Sequence, residues 1–205
     1  MLILFIISLI ANLLSALAGG GAGLLQLPAL LFLGLPFPTA LATHKIASVA
    51  LGVGASIRHW QSEKLDVRFS LFILAAGLPG VWLGTQVILD VPEHWAKLAL
   101  GILTIGIGVY SLFKPNLGQK NETRTHSFRE LSIGCSVLFI IGVLNGSLTS
   151  GTGLFVTLWL IRWFGFDFTR AVAYTLILVG LFWNGVGALF LAQQTTVAWT
   201  WLPPL

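Results

Sequence analysis

The sequence predicts an all-α polytopic membrane protein made of two internal repeats, each carrying a helix broken by Gly and Pro, with about six or seven membrane segments. Three observations predict it. Of the 205 residues, 56% are hydrophobic and 9% charged, and the mean hydropathy is +0.91, which excludes a soluble domain. Uncharged runs fill residues 2–43, 69–89, 98–113, 131–161 and 171–205, and roughly 20 apolar residues let a helix cross a bilayer. These runs are apolar on every face rather than alternating, which excludes a transmembrane β-barrel.

The first segment, "MLILFIISLIANLLSALAGG", has small residues at Ala16 and Ala18 that mimic a signal cleavage site. It lacks a basic leading region and further membrane segments follow, so it is read as a retained helix. "LAGGGAGLLQLPALLFLGLP" at 17–36 then interrupts the apolar run with Gly19, Gly20, Gly21 and Gly23, followed by Pro28. A short apolar segment and the turn "LGLPF" lead into a longer span ending at the loop 58–68. Spans at roughly 69–89 and 95–113 follow. The loop 58–68 carries Arg58, Lys64 and Arg68, and the loop 114–130 carries Lys114, Lys120, Arg124 and Arg129. Between them "LDVPEHWAK" sets Lys97 against Asp90 and Glu93. The net charge of +4 and pI of 9.6 therefore orient the chain, with the basic loops cytoplasmic, and do not point to nucleic acid.

Residues 114–130 divide the chain into a first transmembrane repeat (1–113), a cytoplasmic loop (114–130) and a second, incomplete transmembrane repeat (131–205). Gly23-Leu24 aligns with Gly153-Leu154, and Gly34, Phe37, Ala40 and Gly54 align with Gly165, Phe168, Ala171 and Gly185 after a single-residue insertion. In the second copy "FGFDF" stands where the first has "LGLPF". By this alignment about 50 residues corresponding to 70–113 are missing at the end, roughly two spans. The expectation is a fragment or truncated product, or a bundle that a partner completes. Whether the copies are inverted or parallel depends on whether residues 23–35 cross fully, and the sequence leaves both open.

Gly and Pro interruptions at matching places in two halves are how transporters build a site at the bilayer midplane. Unwound backbone survives in hydrocarbon only inside protein or beside a watery cavity, so the two breaks are expected to face each other. The break at Gly19, Gly20, Gly21 and Gly23 frees N–H groups at a helix start, which attracts anions. The second copy, "NGSLTSGTG", adds uncharged donors at Asn145, Ser147, Thr149, Ser150 and Thr152 beside Gly151 and Gly153. Gln26, one turn past the first break, bonds either an anion or a neighbouring backbone.

"GGGAGLLQLPALLFLGLPFPTALATHKIASVALGVGA" resembles the first signature of the sulfite exporter TauE/SafE family, also called the 4-toluene sulfonate uptake permease family. The resemblance lies in the glycine cluster, Pro28, the Leu-Gly-Leu-Pro turn at 33–36 and Thr43-His44-Lys45. "GVLNGSLTSGTGLFV" resembles the second signature, and the resemblance covers essentially the whole chain. The resemblance implies a multi-pass protein of the bacterial inner membrane that moves small sulfur-containing or carboxylate anions. Lys45 then supplies fixed positive charge on the anion path and His44 a donor or proton-linked partner. The plainer reading of the pair is a helix end with Lys45 reaching to the interface.

The other motifs have structural readings. Pro28 kinks a helix. Gly80, Gly84, Gly101, Gly106 and Gly108 are read as close helix packing. Trp60, Trp95, Trp163 and Trp199 are read as interfacial anchors, Cys135 as a small packing residue, and Arg170 with Asp167 as a loop ion pair. No GxxxxGK[ST] is present and the glycine cluster is not followed by Lys, so no nucleotide or other cofactor is called for, and transport is expected to be secondary-active with alternating access. The expected partners are the lipid bilayer and a small anionic substrate, with homo-oligomers left open. An intramembrane enzyme would need acids, bases or metal ligands in the membrane. Glu63, Asp66, Asp90, Glu93, Glu122 and Glu130 all fall in loops and Asp167 in a turn, and no HExxH occurs. The remaining rival is an accessory subunit of a transport complex.

Overall fold

A computed structural model describes residues 1–59, 65–112 and 127–205. Trp60, Glu63, Lys64 and most of the loop 114–130, Glu122 included, lie outside the described residues. The described chain is helical: α1 (Leu2–Ala18), α2 (Gly23–Phe32), α3 (Phe37–His59), α4 (Val67–Asp90), α5 (Glu93–Leu112), α6 (Phe128–Ser147), α7 (Thr152–Arg162) and α8 (Phe168–Gln194). Four helices, α3, α4, α6 and α8, are long and apolar enough to cross a membrane. With α5 and the shorter apolar helices they make a polytopic membrane protein. In α8 the stretch Thr175–Trp183 is wound as a π-helix, a geometry common at functional positions.

Local chemistry fixes where the helices start. Asp66 accepts from the Arg68 and Phe69 amides at 2.8 and 3.1 Å, and Asp167 accepts from the Arg170 amide at 2.9 Å. Ser127 and Glu130 form a reciprocal capping box on α6, satisfying two free amides at once. Glu93, the first residue of α5, accepts from the Phe37 amide at 3.1 Å and so caps α3. Asp66, Glu93, Glu130 and Asp167 thus serve as helix caps. Asp167 is committed to this cap rather than to the expected ion pair with Arg170. The Arg170 guanidinium lies instead over the Phe166 ring, 4.3 Å from its centroid, a cation–π contact.

Glycines decide the packing at the centre. A side chain at Gly80 would strike the Phe139 carbonyl, one at Gly84 the Val143 carbonyl, and one at Gly146 the Val81 carbonyl. α4 and α6 therefore touch backbone to backbone, as small residues allow in a membrane. Gly77 does the same for the fully buried Trp183 of α8, whose ring fills the space a Cβ would need. Gly101, Gly106 and Gly108 correct the sequence reading: nothing lies within 4 Å of their Cβ positions. α5 runs along the outside of the bundle with Ile102 and Ile105 exposed. Trp95 and Trp199 are exposed near helix ends, whereas Cys135 packs partly buried beside the core.

The bundle has two ends. Leu4, Leu30, Phe37, Ile88 and Ala96 share one cluster, so α1 begins, α2 finishes, α3 begins and α4 finishes at the Glu93 end. At the other end Arg58 and Phe168 line one space. There too the Asp66 amide donates to Tyr174 Oη at 2.7 Å, and Trp163 Nε1 donates to the Glu130 carbonyl at 3.1 Å. α6 begins, α7 finishes and α8 begins at this Arg58 end. The long–short–long series α1–α2–α3 and α6–α7–α8 thus run from opposite ends.

Candidate functional site

Two chain breaks meet where α2 and α7 start. Gly19, Gly20 and Gly21 have φ of 80°, 120° and 104°, a region that strains side chains bearing a Cβ. The second break uses Gly151 at φ 70° and Thr149 at φ 59°. Thr149 tolerates this with its hydroxyl bonded to the Asn145 carbonyl at 2.7 Å. A Cβ on Gly20 would come within 2.9 Å of Gly153 Cα, and Thr157 Oγ1 donates to the Gly19 carbonyl at 2.8 Å. The two short helices therefore diverge from one point, α2 toward the Glu93 end and α7 toward the Arg58 end, with both positive dipole ends at the centre. Among the described residues the amides of Gly21, Ala22 and Gly23 have no backbone acceptor.

A cavity of about 40 Å³ lies at this point. Of the residues expected from sequence, Gly20, Gly21, Gly23, His44, Asn145, Thr149, Thr152 and Gly153 line it. Ser48 Oγ and His44 Nε2 are 3.2 Å apart, while His44 Nδ1 and Ser15 Oγ are buried without a partner. Asn145 Nδ2 donates to Thr152 Oγ1 at 2.9 Å and to Asn184 Oδ1 at 3.2 Å. The Asn184 amide nitrogen is left as a further donor at the wall. One water needs about 10–15 Å³ of such space, so the cavity suits a compact ligand of a few heavy atoms and is too small for an aryl group.

The other expected site residues point elsewhere. Lys45 is buried but absent from the lining: its ammonium donates to the Asn145 carbonyl at 2.8 Å, to Asn145 Oδ1 at 3.1 Å and toward Asn184 Oδ1 at 3.5 Å. It sits behind the wall and holds the two asparagines. Neither does it reach to an interface. Gln26 turns toward α1, donating to Asn12 Oδ1 and the Leu205 carbonyl. Thr43 accepts from the Ala198 amide and donates to the Thr39 carbonyl. Ser147 spends its hydroxyl on the Val143 carbonyl. Gly19 and Gly151 shape the breaks from outside the cavity, Gly151 packing against Ile107 and Leu24. Ser150 is buried beside Gly23 with its hydroxyl unpartnered.

Sequence reasoning missed Ser15, Ser48, Thr175, Gly180 and Asn184, all of which line the cavity. A signal existed for two of them. The alignment that pairs Gly23 with Gly153 also pairs Ser15 with Asn145, and the one that pairs Phe37 with Phe168 pairs His44 with Thr175. No group of three or more His, Cys, Asp or Glu able to hold a metal occurs among the described residues, and no Asp or Glu is among the buried ones.

Comparison with known proteins agrees with this picture of a membrane protein. The family model "Sulfite exporter TauE/SafE" matches residues 4–205. A Haemophilus influenzae protein named "Probable membrane transporter protein" is 32% identical over 86% of this chain and 68% of its own length. A Sinorhizobium relative, "Probable membrane transporter protein ORF9", is 29% identical over 90% of this chain and 69% of its own. The Escherichia coli K12 "Probable membrane transporter protein YfcA" is 28% identical over 86% of this chain and 64% of its own. These names describe transporters, not enzymes. No solved structure matches the chain. The chain belongs to the sulfite exporter TauE/SafE family of membrane transporters.

Proposed function

We propose that this protein is a secondary transporter of small oxyanions in the bacterial inner membrane, and that its ligand binds in the cavity between the starts of α2 and α7. One observation carries the reading: two opposed helix starts of different halves meet at Gly20 and Gly153, around a cavity whose His44 and Ser15 still have buried polar atoms without partners. Free amides, dipoles and neutral donors are what a compact anion needs in hydrocarbon. Lys45 lies one layer behind, held by asparagine oxygens, so it supplies positive potential without a direct contact. The cavity volume favours sulfite-sized anions over aryl sulfonates.

The opposite courses of the two halves fit inverted repeats, and rocking of one on the other would expose the cavity to each face in turn. The test is ligand-dependent thermal stabilisation of the detergent-purified protein, because a ligand that binds only the folded state raises its apparent stability. Sulfite, sulfate, thiosulfate, sulfoacetate, taurine and small carboxylates form the panel, with 4-toluene sulfonate as the oversized member. A concentration-dependent rise for the compact oxyanions is expected, and Gly23→Ala removes it, since its Cβ would lie 2.8 Å from His44 Nε2. A rise that Gly23→Ala leaves unchanged sinks the assignment.

A further inference from the structure

A second, larger space of about 560 Å³ lies between the last part of α1, the last part of α3 and the first part of α8. It is lined by Leu13, Leu17, Ala50, Gly54 and Val172, with Arg58 at its rim. Two side chains belong to both spaces: Leu51 and Leu176 line this one and the small cavity alike. We infer that this space is the vestibule through which the ligand reaches the cavity from the Arg58 end, and that Leu51 and Leu176 are its gate. The inference rests on the small cavity being the ligand site.

Three further features support it. Toward the Glu93 end a packed cluster of Leu27, Leu30, Phe37, Leu41, Leu148 and Leu191 closes the bundle, whereas toward the Arg58 end the open volume begins one residue layer from the cavity. Leu176 lies in the π-helical stretch of α8, whose winding gives the chain a local alternative to the regular helix ladder. Beside the gate, a Cβ on Gly52 would come within 2.6 Å of the Gly180 carbonyl carbon, so α3 and α8 meet backbone to backbone there. A pair of leucines over a narrow polar cavity excludes water when closed and passes an anion when parted.

Thiol accessibility tests the route without knowing the substrate. In a Cys135→Ser background, cysteine is placed at Gly54 or Ala50 in the vestibule, at Val53 on the outward face of the same helix, and at Val67, which is exposed at the Arg58 end. Sealed vesicles of each orientation are treated with the anionic reagent sulfonatoethyl methanethiosulfonate. Gly54→Cys and Ala50→Cys are expected to react only from the face that modifies Val67→Cys, and Val53→Cys, in hydrocarbon, from neither. Ser48→Cys, beyond the gate, is expected to react slowly and to gain at least about tenfold in rate when Leu51→Ala opens the constriction. Modification of both vestibule cysteines from the opposite face, or from both faces alike, overturns the route. So does a rate no higher than that of Val53→Cys, or a Ser48→Cys rate indifferent to Leu51→Ala. Any of these leaves the oxyanion panel free to succeed, so failure of the route and failure of the site are separable.

Discussion

Lys45 is a buried charge one layer behind the cavity wall. Its ammonium spends its donors on Asn145 and Asn184 oxygens, which turns the Asn145 amide nitrogen toward Thr152 and Asn184. Asn145→Ala strands the ammonium with one side-chain acceptor fewer and is expected to cost about 2–3 kcal/mol, the scale of a hydrogen bond to a charged group. Adding Lys45→Met removes the stranded charge and is expected to recover part of that loss, as deleting an unpaired buried charge does. Thermal unfolding of the two single variants and the double, without ligand, reads the cycle; additive losses would show that the two residues act independently. The glycine cradle was legible in the sequence because its signal is local: positive φ favours glycine wherever the helix lies. The facing of Lys45, Gln26 and Thr43 was not, because one turn of helix phase decides between cavity and packing, and that phase is set by helices distant in sequence. Thr175 and Ser15 were within reach, since the internal alignment pairs them with His44 and Asn145.

Among the elements, the α4–α6 contact is the tightest, and its small residues cannot grow. Gly84→Leu would drive a side chain into the Val143 carbonyl and against Gly146. It is expected to destabilise by several kcal/mol, roughly 3 or more, as overpacking against rigid backbone does. Gly106→Ala, by contrast, has open space and is expected to be neutral or to stabilise by up to about 1 kcal/mol through helix propensity. Detergent thermal melts of the two variants side by side measure the difference, and equal losses would contradict the packing described. Spacing in sequence marks a small-residue face but not what covers it. Gly80 and Gly84 meet α6 through Gly142 and Gly146, while Gly106 and Gly108 look outward. The π-helical winding in α8 left no mark in the residue pattern.

For the whole molecule, the decisive property is direction. The sequence could not choose between inverted and parallel halves because α2 is too short to declare a crossing: its ten residues reach only about 15 Å at 1.5 Å each. The side-chain contacts at the two ends supply what length cannot, joining Leu4 to Phe37 at one end and Trp163 to Glu130 at the other. α2 therefore returns to the end where α1 began, and α7 to the end where α6 began. The two short helices leave the common cavity toward opposite ends. Phe32, exposed at the close of α2, and Phe168, exposed at the start of α8 just after α7, mark those two exits. With Cys135 replaced by serine, Phe32→Cys and Phe168→Cys are expected to react with a charged, impermeant thiol reagent from opposite faces of sealed vesicles. Phe168→Cys should share the face of Val67→Cys, the cytoplasmic one if the arginine-rich end obeys the charge rule. Reaction of both cysteines from one face would make the halves parallel. The two helix starts would then open toward the same solution, and alternating access would need a motion other than the rocking of inverted halves.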